Sequence, residues 1–277
     1  MEDPERKCNT VPMTLESSAQ TLSDGGPRVE AIDRALQLLL TLAKAGTEGS
    51  SLRELCTDTG ISKATAYRAL STLRGRGFVT QSLAGDYVLG PQSLALGQHF
   101  FTGDNLGRSL KPALVELSQR AEELVHLGMW DGNRVVYLDK VEPGARAIRV
   151  WSSIGQRVPA ASSALGRALL GAESAIDVPL ESFIRALPPG RDVSVERLRA
   201  AIHEMRTTGF ASETEENEPG VACLAVALMR NGSPLAAISI TSLASRMTPE
   251  RRDHLKGLIH EVVPPRLPDG VTLFSPR

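Results

Sequence analysis

Cysteine is scarce in this chain. Cys8, Cys56 and Cys223 are the three in 277 residues, far apart, with no paired or clustered Cys/His spacing. That excludes a disulfide framework and a zinc knuckle, and fits a reducing cytoplasm. No apolar run approaches the roughly 20 residues that a membrane-spanning helix needs, so no membrane partner is expected. An excess of one charge is missing too. Lys and Arg number 31 against 32 Asp and Glu, so a nucleic-acid partner has to be argued from where charges fall, not from their sum. Signatures of catalysis are also absent. The five histidines, His99, His126, His203, His254 and His260, form no metal-binding helix pattern. Ser162-Ser163 lies in neither a nucleophile elbow nor an SxxK spacing, and there is no glycine-rich phosphate loop. A catalytic role, a metal and a cofactor are therefore not expected.

What remains is 42% hydrophobic and long enough for one large domain or two ordinary ones. Residues 1–27 are polar and rich in Ser, Thr, Pro and Gly, which predicts a disordered arm, not a signal peptide. Periodicity begins at Val29, with Ile32, Leu36, Leu39, Leu40 and Ala43 at helical spacing and Gly46 as the stop. Ser51 is placed to cap a short helix to Asp58. Gly60 then supplies a turn, and Ser62 caps a third helix to about Leu73. Two helices separated by a short glycine turn make a helix-turn-helix.

On the third helix, Ala66, Ala69, Leu70 and Leu73 form an apolar stripe, while Ala64, Arg68 and Ser71 fall opposite, flanked by Thr65, Tyr67 and Thr72. No acidic residue occurs between Asp58 and Asp86, whereas Lys63, Arg68, Arg74 and Arg76 do. A small, hydroxylated, basic face suits a major groove. Phe78–Thr80 and Tyr87–Leu89, joined through Gly85-Asp86, predict a β-hairpin wing. The expected DNA contacts are Ser62, Lys63, Thr65, Tyr67 and Arg68, with Arg74 and Arg76 on phosphates near the wing. The expected organisation is a winged helix-turn-helix over 28–90, a linker helix over 91–103, an α+β domain over 104–265 and a tail over 266–277.

The sequence here resembles the IclR family of bacterial regulators. The resemblance rests on Ser51-Leu52-Arg53-Glu54-Leu55, the run Gly60 to Leu70, Gly155-Gln156-Arg157-Val158-Pro159, Ala164 to Leu170, and above all Glu215-Glu216-Asn217-Glu218-Pro219-Gly220-Val221. It covers about 28–262. Two departures stand out: Ala161-Ser162-Ser163 replaces the family's usual triplet, and Arg167 stands where Lys is usual. The resemblance implies a transcription regulator with a GAF-like sensor domain, a homodimer or dimer of dimers on an inverted-repeat operator, and a small organic acid or aromatic catabolite as effector.

In the second half, strands are predicted at Leu124–Trp130, Arg134–Val141, Ile148–Trp151, Val221–Arg230 and Pro234–Ser242, with turns at Gly132 and Asn231-Gly232. Helices are predicted from Asp104, and at Ser162–Leu170, Pro179–Ala186, Ser194–Thr208 and from Thr248. Alternation places Ser239 and Thr241 on one face of their strand, and Cys223, Ala225 and Ala227 together on theirs. Small and hydroxylated residues on the face away from the large ones suit a ligand site. The family's effector positions, carried over by the resemblance, fall on Ala164, Leu165, Glu213, Cys223, Ser239 and Thr241. The acidic run around Glu213, Glu215, Glu216 and Glu218 otherwise predicts a solvated loop.

Overall fold

The computed structural model describes residues 29–101, 106–144, 152–173 and 179–276. The arm, the cap at Asp104, the strand at Ile148–Trp151 and the side chain of His99 lie outside the described residues. The chain divides into two compact units after Phe100.

The first unit opens with α1 (Glu30–Ala45), α2 (Leu52–Thr59) and α3 (Lys63–Gly75), followed by the hairpin β1 (Val79–Gln81) and β2 (Tyr87–Leu89). A reciprocal capping box starts α2: the Ser51 hydroxyl accepts from Glu54 N, and the Glu54 carboxylate accepts from Ser51 N at 2.8 Å. Gly60 ends α2 in the left-handed region at φ 70°, a conformation that glycine adopts without a Cβ clash. Leu38, Leu42, Leu55, Ala66, Leu70 and Val79 form the core.

The stripe expected to organise α1 needs correction. Leu38 and Leu42 are buried, whereas Ile32, Leu36 and Leu40 are 59%, 53% and 66% exposed. The helix is apolar on more than one side, so periodicity alone does not pick the side that meets α3. A fourth helix, α4 (Pro91–Phe101), is tied to the hairpin base: Ser93 Oγ donates to Phe78 O at 3.0 Å and Gln92 N to Gly77 O at 3.1 Å.

The second unit contains α5 (Leu106–Ala121), β3 (Leu124–Asp131), β4 (Arg134–Val141), β5 (Arg157–Pro159), α6 (Ala164–Ala172), α7 (Leu180–Arg185), α8 (Val195–Thr208), β6 (Ala211–Thr214), β7 (Val221–Arg230), β8 (Ser233–Leu243), α9 (Pro249–Val262) and β9 (Val271–Leu273). The strands make one antiparallel sheet in the order β5-β4-β3-β8-β7-β6, with β9 also on β7. Residues set apart as a tail therefore join the sheet, and Phe274 N donates to Ala227 O at 2.8 Å.

Alternation along the strands decides which helices cover which face. Val125, Leu127, Leu224, Val226, Leu228, Ile238 and Ile240 meet Leu110, Leu114 and Leu117 of α5 and Leu255, Ile259 and Val262 of α9. Each such side chain contributes about 1.5–3 kcal/mol by leaving water. The other face carries Ala225, Ala227 and Ala237, and against it pack α6, α7 and α8 through Ala164, Leu165, Ala168, Phe183, Leu198 and Met205. Small strand residues let α6 come close. Gly166 is needed for the same reason: a Cβ there would lie 2.2 Å from Ala160 Cα.

Candidate DNA-reading face and effector site

The outer face of α3 is open. Ser62, Lys63, Tyr67, Arg68, Arg74 and Arg76 are exposed and Thr65 is half-buried, while Ala66 and Leu70 point into the core. Ser62 is the N-cap and bonds to Thr65, its hydroxyl donating to Thr65 Oγ1 at 3.0 Å. Arg74 also has a partner within the unit: its Nη1 donates to Gln81 Oε1 at 2.8 Å, and Gln81 Nε2 donates to Gly85 O at 2.8 Å. That chain braces the hairpin against α3. Lys63, Tyr67, Arg68 and Arg76 remain as the outward-facing set.

In the second unit, the six candidate effector residues converge between α6 and the sheet. Glu213 on β6 pairs with Cys223 on β7, and Cys223 with Thr241 on β8. Ser239 lies opposite Ala225 on one side and His126 of β3 on the other. Ala164, Leu165, Glu213, Ser239 and Thr241 are each 2% exposed. Cys223 Sγ is 3.4 Å from Thr241 Oγ1, which is 3.5 Å from His126 Nδ1. His126 Nε2 meets Ser152 Oγ at 2.8 Å, and its ring stacks on Tyr137 at 4.5 Å between centroids.

Burial governs the protonation of this cluster. It pushes His126 down to about 3, helped by Lys140, so the imidazole is neutral. It pushes the Tyr137 hydroxyl and the Cys223 thiol up. Cys223 keeps a partly accessible edge, but protein crowds its sulfur. Burial also raises the Glu213 carboxyl, against the opposing pull of the Cys223 thiol, the Asn217 and Glu216 amides and Arg167.

Glu213 Oε2 accepts from Glu216 N at 3.1 Å and Asn217 N at 3.3 Å. Among the described residues no hydrogen bond meeting the usual geometry reaches its Oε1 or the buried Ser162 Oγ, although the Cys223 thiol lies against the Glu213 carboxyl. Buried groups left unpaired cost about 1–3 kcal/mol each, so both atoms call for a further partner. Two surface clefts of about 390 and 710 Å³ lie elsewhere on this unit, one beside His260 and Phe274, the other beside Val115 and Arg246. Neither includes any of the six residues, which are packed between α6 and the sheet.

The solvated-loop expectation holds for Glu215, which is exposed, and fails for Glu216. The Glu216 carboxylate is buried and takes a bidentate pair from Arg167, plus Arg197 at 2.8 Å. Arg167 also donates to Ala161 O and Ser212 O, both at 3.0 Å. No pattern in the sequence marks His126, Tyr137 or Ser162 as part of this cluster, since each reads alone as an ordinary strand or loop residue. For Glu216, the signal available was an arginine inside the otherwise apolar stretch Ala164–Leu170, which needed an acid from elsewhere in the chain.

Comparison with known proteins identifies the architecture. A family model described as bacterial transcriptional regulator IclR C-terminal matches residues 98–264, and one described as IclR helix-turn-helix domain matches 31–83. The chain belongs to the IclR family. It is a helix-turn-helix transcription regulator of the IclR type. The regulator XynR of Escherichia coli strain K12 is 34% identical over 227 residues, covering 80% of this chain and 89% of that protein. The crystal structure of Thermotoga maritima IclR matches with a TM-score of 0.66 at 27% identity, over 84% of this chain and 95% of that one. An IclR homologue from Microbacterium hydrocarbonoxydans, crystallised with 4-hydroxybenzoate, shares the fold at a TM-score of 0.67 and 19% identity, over 84% of this chain and 97% of that one. Among the described residues no helix is long and apolar enough to cross a membrane.

Proposed function

We propose that this IclR-family chain reads an inverted-repeat operator as a homodimer or a dimer of dimers, and that a small organic acid or aromatic catabolite in the α6 seam controls it. The observation that carries this reading is the pair of buried polar atoms, Ser162 Oγ just before Ala164 and Leu165, and Glu213 Oε1 on the strand pair that runs through Cys223 to Thr241, for which no partner is found among the described residues. DNA contact is assigned to Lys63, Thr65, Tyr67, Arg68 and Arg76, with Ser62 at the helix start and Arg74 acting through the wing. Pairing is assigned to the exposed apolar residues of the first unit, Ile32, Leu36 and Leu40 on α1 and Leu94 and Leu96 on α4. The described residues hold no cluster of metal ligands, and the assigned role requires neither catalysis nor a cofactor. It is that of a cytoplasmic regulator.

Selection from a random DNA pool, followed by footprinting, tests the reading. The expected result is an enriched sequence with two half-sites related by a two-fold axis, about one helical turn or a multiple apart. Enrichment of a single half-site, or of nothing, contradicts it.

A further inference from the structure

Among the described residues no large hydrophobic is more exposed than Leu83, at 111%. A single exposed leucine is ordinary on a protein surface, but this one stands at the tip of a braced turn. Ser82 N donates to Asp86 O at 2.7 Å, Gly85 N to Ser82 O at 3.0 Å and Asp86 N to Ser82 Oγ at 3.1 Å, which closes the turn on itself. Gly85, at φ 94°, supplies the left-handed step. Below it, Gln81 bonds to Gly85 O on one side and to Arg74 of α3 on the other, each at 2.8 Å. Leu83 is therefore carried on a fixed arm anchored to the helix that presents the basic face.

Charge narrows the use of that arm. From Gln81 to Asp86 there is no Lys or Arg, and Asp86 is the one ionisable side chain. Such a hairpin end has no cation with which to grip a phosphate. The cations stand beside it, with Lys63, Arg68 and Arg76 exposed on or just after α3. They repel a second copy of the same face and attract a polyanion, so DNA is the occupant that the charges favour. Apolar side chains carried into the minor groove act by wedging between base steps and kinking the duplex.

We propose that Leu83 is such a wedge: with α3 in the major groove, the wing tip enters the adjacent minor groove, sets Leu83 against a base step and bends the operator. This rests on the chain being a DNA reader. The wing then adds specificity without a base-edge hydrogen bond, by favouring a flexible pyrimidine–purine step, TA or CA/TG, beside each half-site.

The test uses the full chain and the operator selected from the random pool, labelled at its two ends with donor and acceptor dyes so that one titration reads affinity and bend. Leu83 lies outside the core of its unit, so its variants keep the fold. Leu83→Ala is expected to bind about 10-fold more weakly, the order for one leucine side chain returned to water, with a smaller bend and an unchanged salt slope. Leu83→Met should restore affinity and bend. Leu83→Lys should steepen the salt slope by about one phosphate contact and leave the bend small. Straight DNA in the parent complex, or equal binding and bending by Leu83→Ala, overturns the wedge and leaves DNA reading standing. Sedimentation in which Leu83→Ala changes self-association while the bend stays intact assigns Leu83 to a second copy and overturns it as well. A parent chain that binds no DNA overturns both readings.

Discussion

Arg68 and Arg74 are on one helix, six residues apart, and their surroundings assign them different work. Arg68 is exposed on the outer face of α3, while Arg74 holds Gln81 of the wing. Arg68→Ala is expected to cost about 1–3 kcal/mol of operator binding, as for loss of a bidentate base contact. Competition binding against a site mutated base by base checks this; unchanged affinity removes Arg68 from the reading face. In the second unit, His126 sets a pH dependence. Its folded-state value of about 3 lies below its ordinary 6.5, so the neutral ring contributes stability above pH 6.5. That contribution is lost as pH falls from 6.5 towards 3. At pH 5.5 the loss is about 1.4 kcal/mol. Urea unfolding at pH 7.5 and 5.5 should show this loss in the parent chain and not in His126→Phe; equal losses in both contradict it. Ser239 and Thr241 were legible because alternation fixes their face on a long strand, whereas Glu213 was named only through the family resemblance. His126 and Ser162 were not, because their importance comes from partners on other elements.

Among the elements, the capped helices and the wing hairpin were legible, and the short strands β5, β6 and β9 were not. Ser51, Ser62, Ser194 and Thr248 each accept a hydrogen bond from a first-turn backbone N–H of their helix, a local arrangement that needs no tertiary information. β6 and β9, at four and three residues, are too short for alternation to stand out, and they exist because β7 offers an edge. The inward side of α1 was illegible for a different reason, since Ile32, Leu36, Leu38, Leu40 and Leu42 surround much of the helix. α6 depends on closeness. Gly166→Ala, with its Cβ driven onto Ala160, is expected to cost about 1–3 kcal/mol. Melting curves of the two proteins check it; an unchanged melting temperature refutes the close approach.

For the whole molecule, the two-unit plan was legible from the change of pattern after the wing. Which side of α1 faces outward was not, because a surface stripe looks the same in sequence as a core stripe. If Ile32, Leu36 and Leu40 join two copies, Leu36→Glu should weaken self-association at least about tenfold, given about 1.5–3 kcal/mol for a buried leucine. Sedimentation velocity across a dilution series checks it, and an unaltered assembly state moves the interface elsewhere.

DNA reading is the central claim, and it is tested most directly by fluorescence anisotropy of the full chain on DNA from upstream of its own gene, titrated over a range of salt. The account predicts binding whose log affinity falls linearly with log salt, with a shallower slope when Arg76 is replaced by Ala. Absence of DNA binding even at low salt, where non-specific phosphate contacts hold, would contradict it.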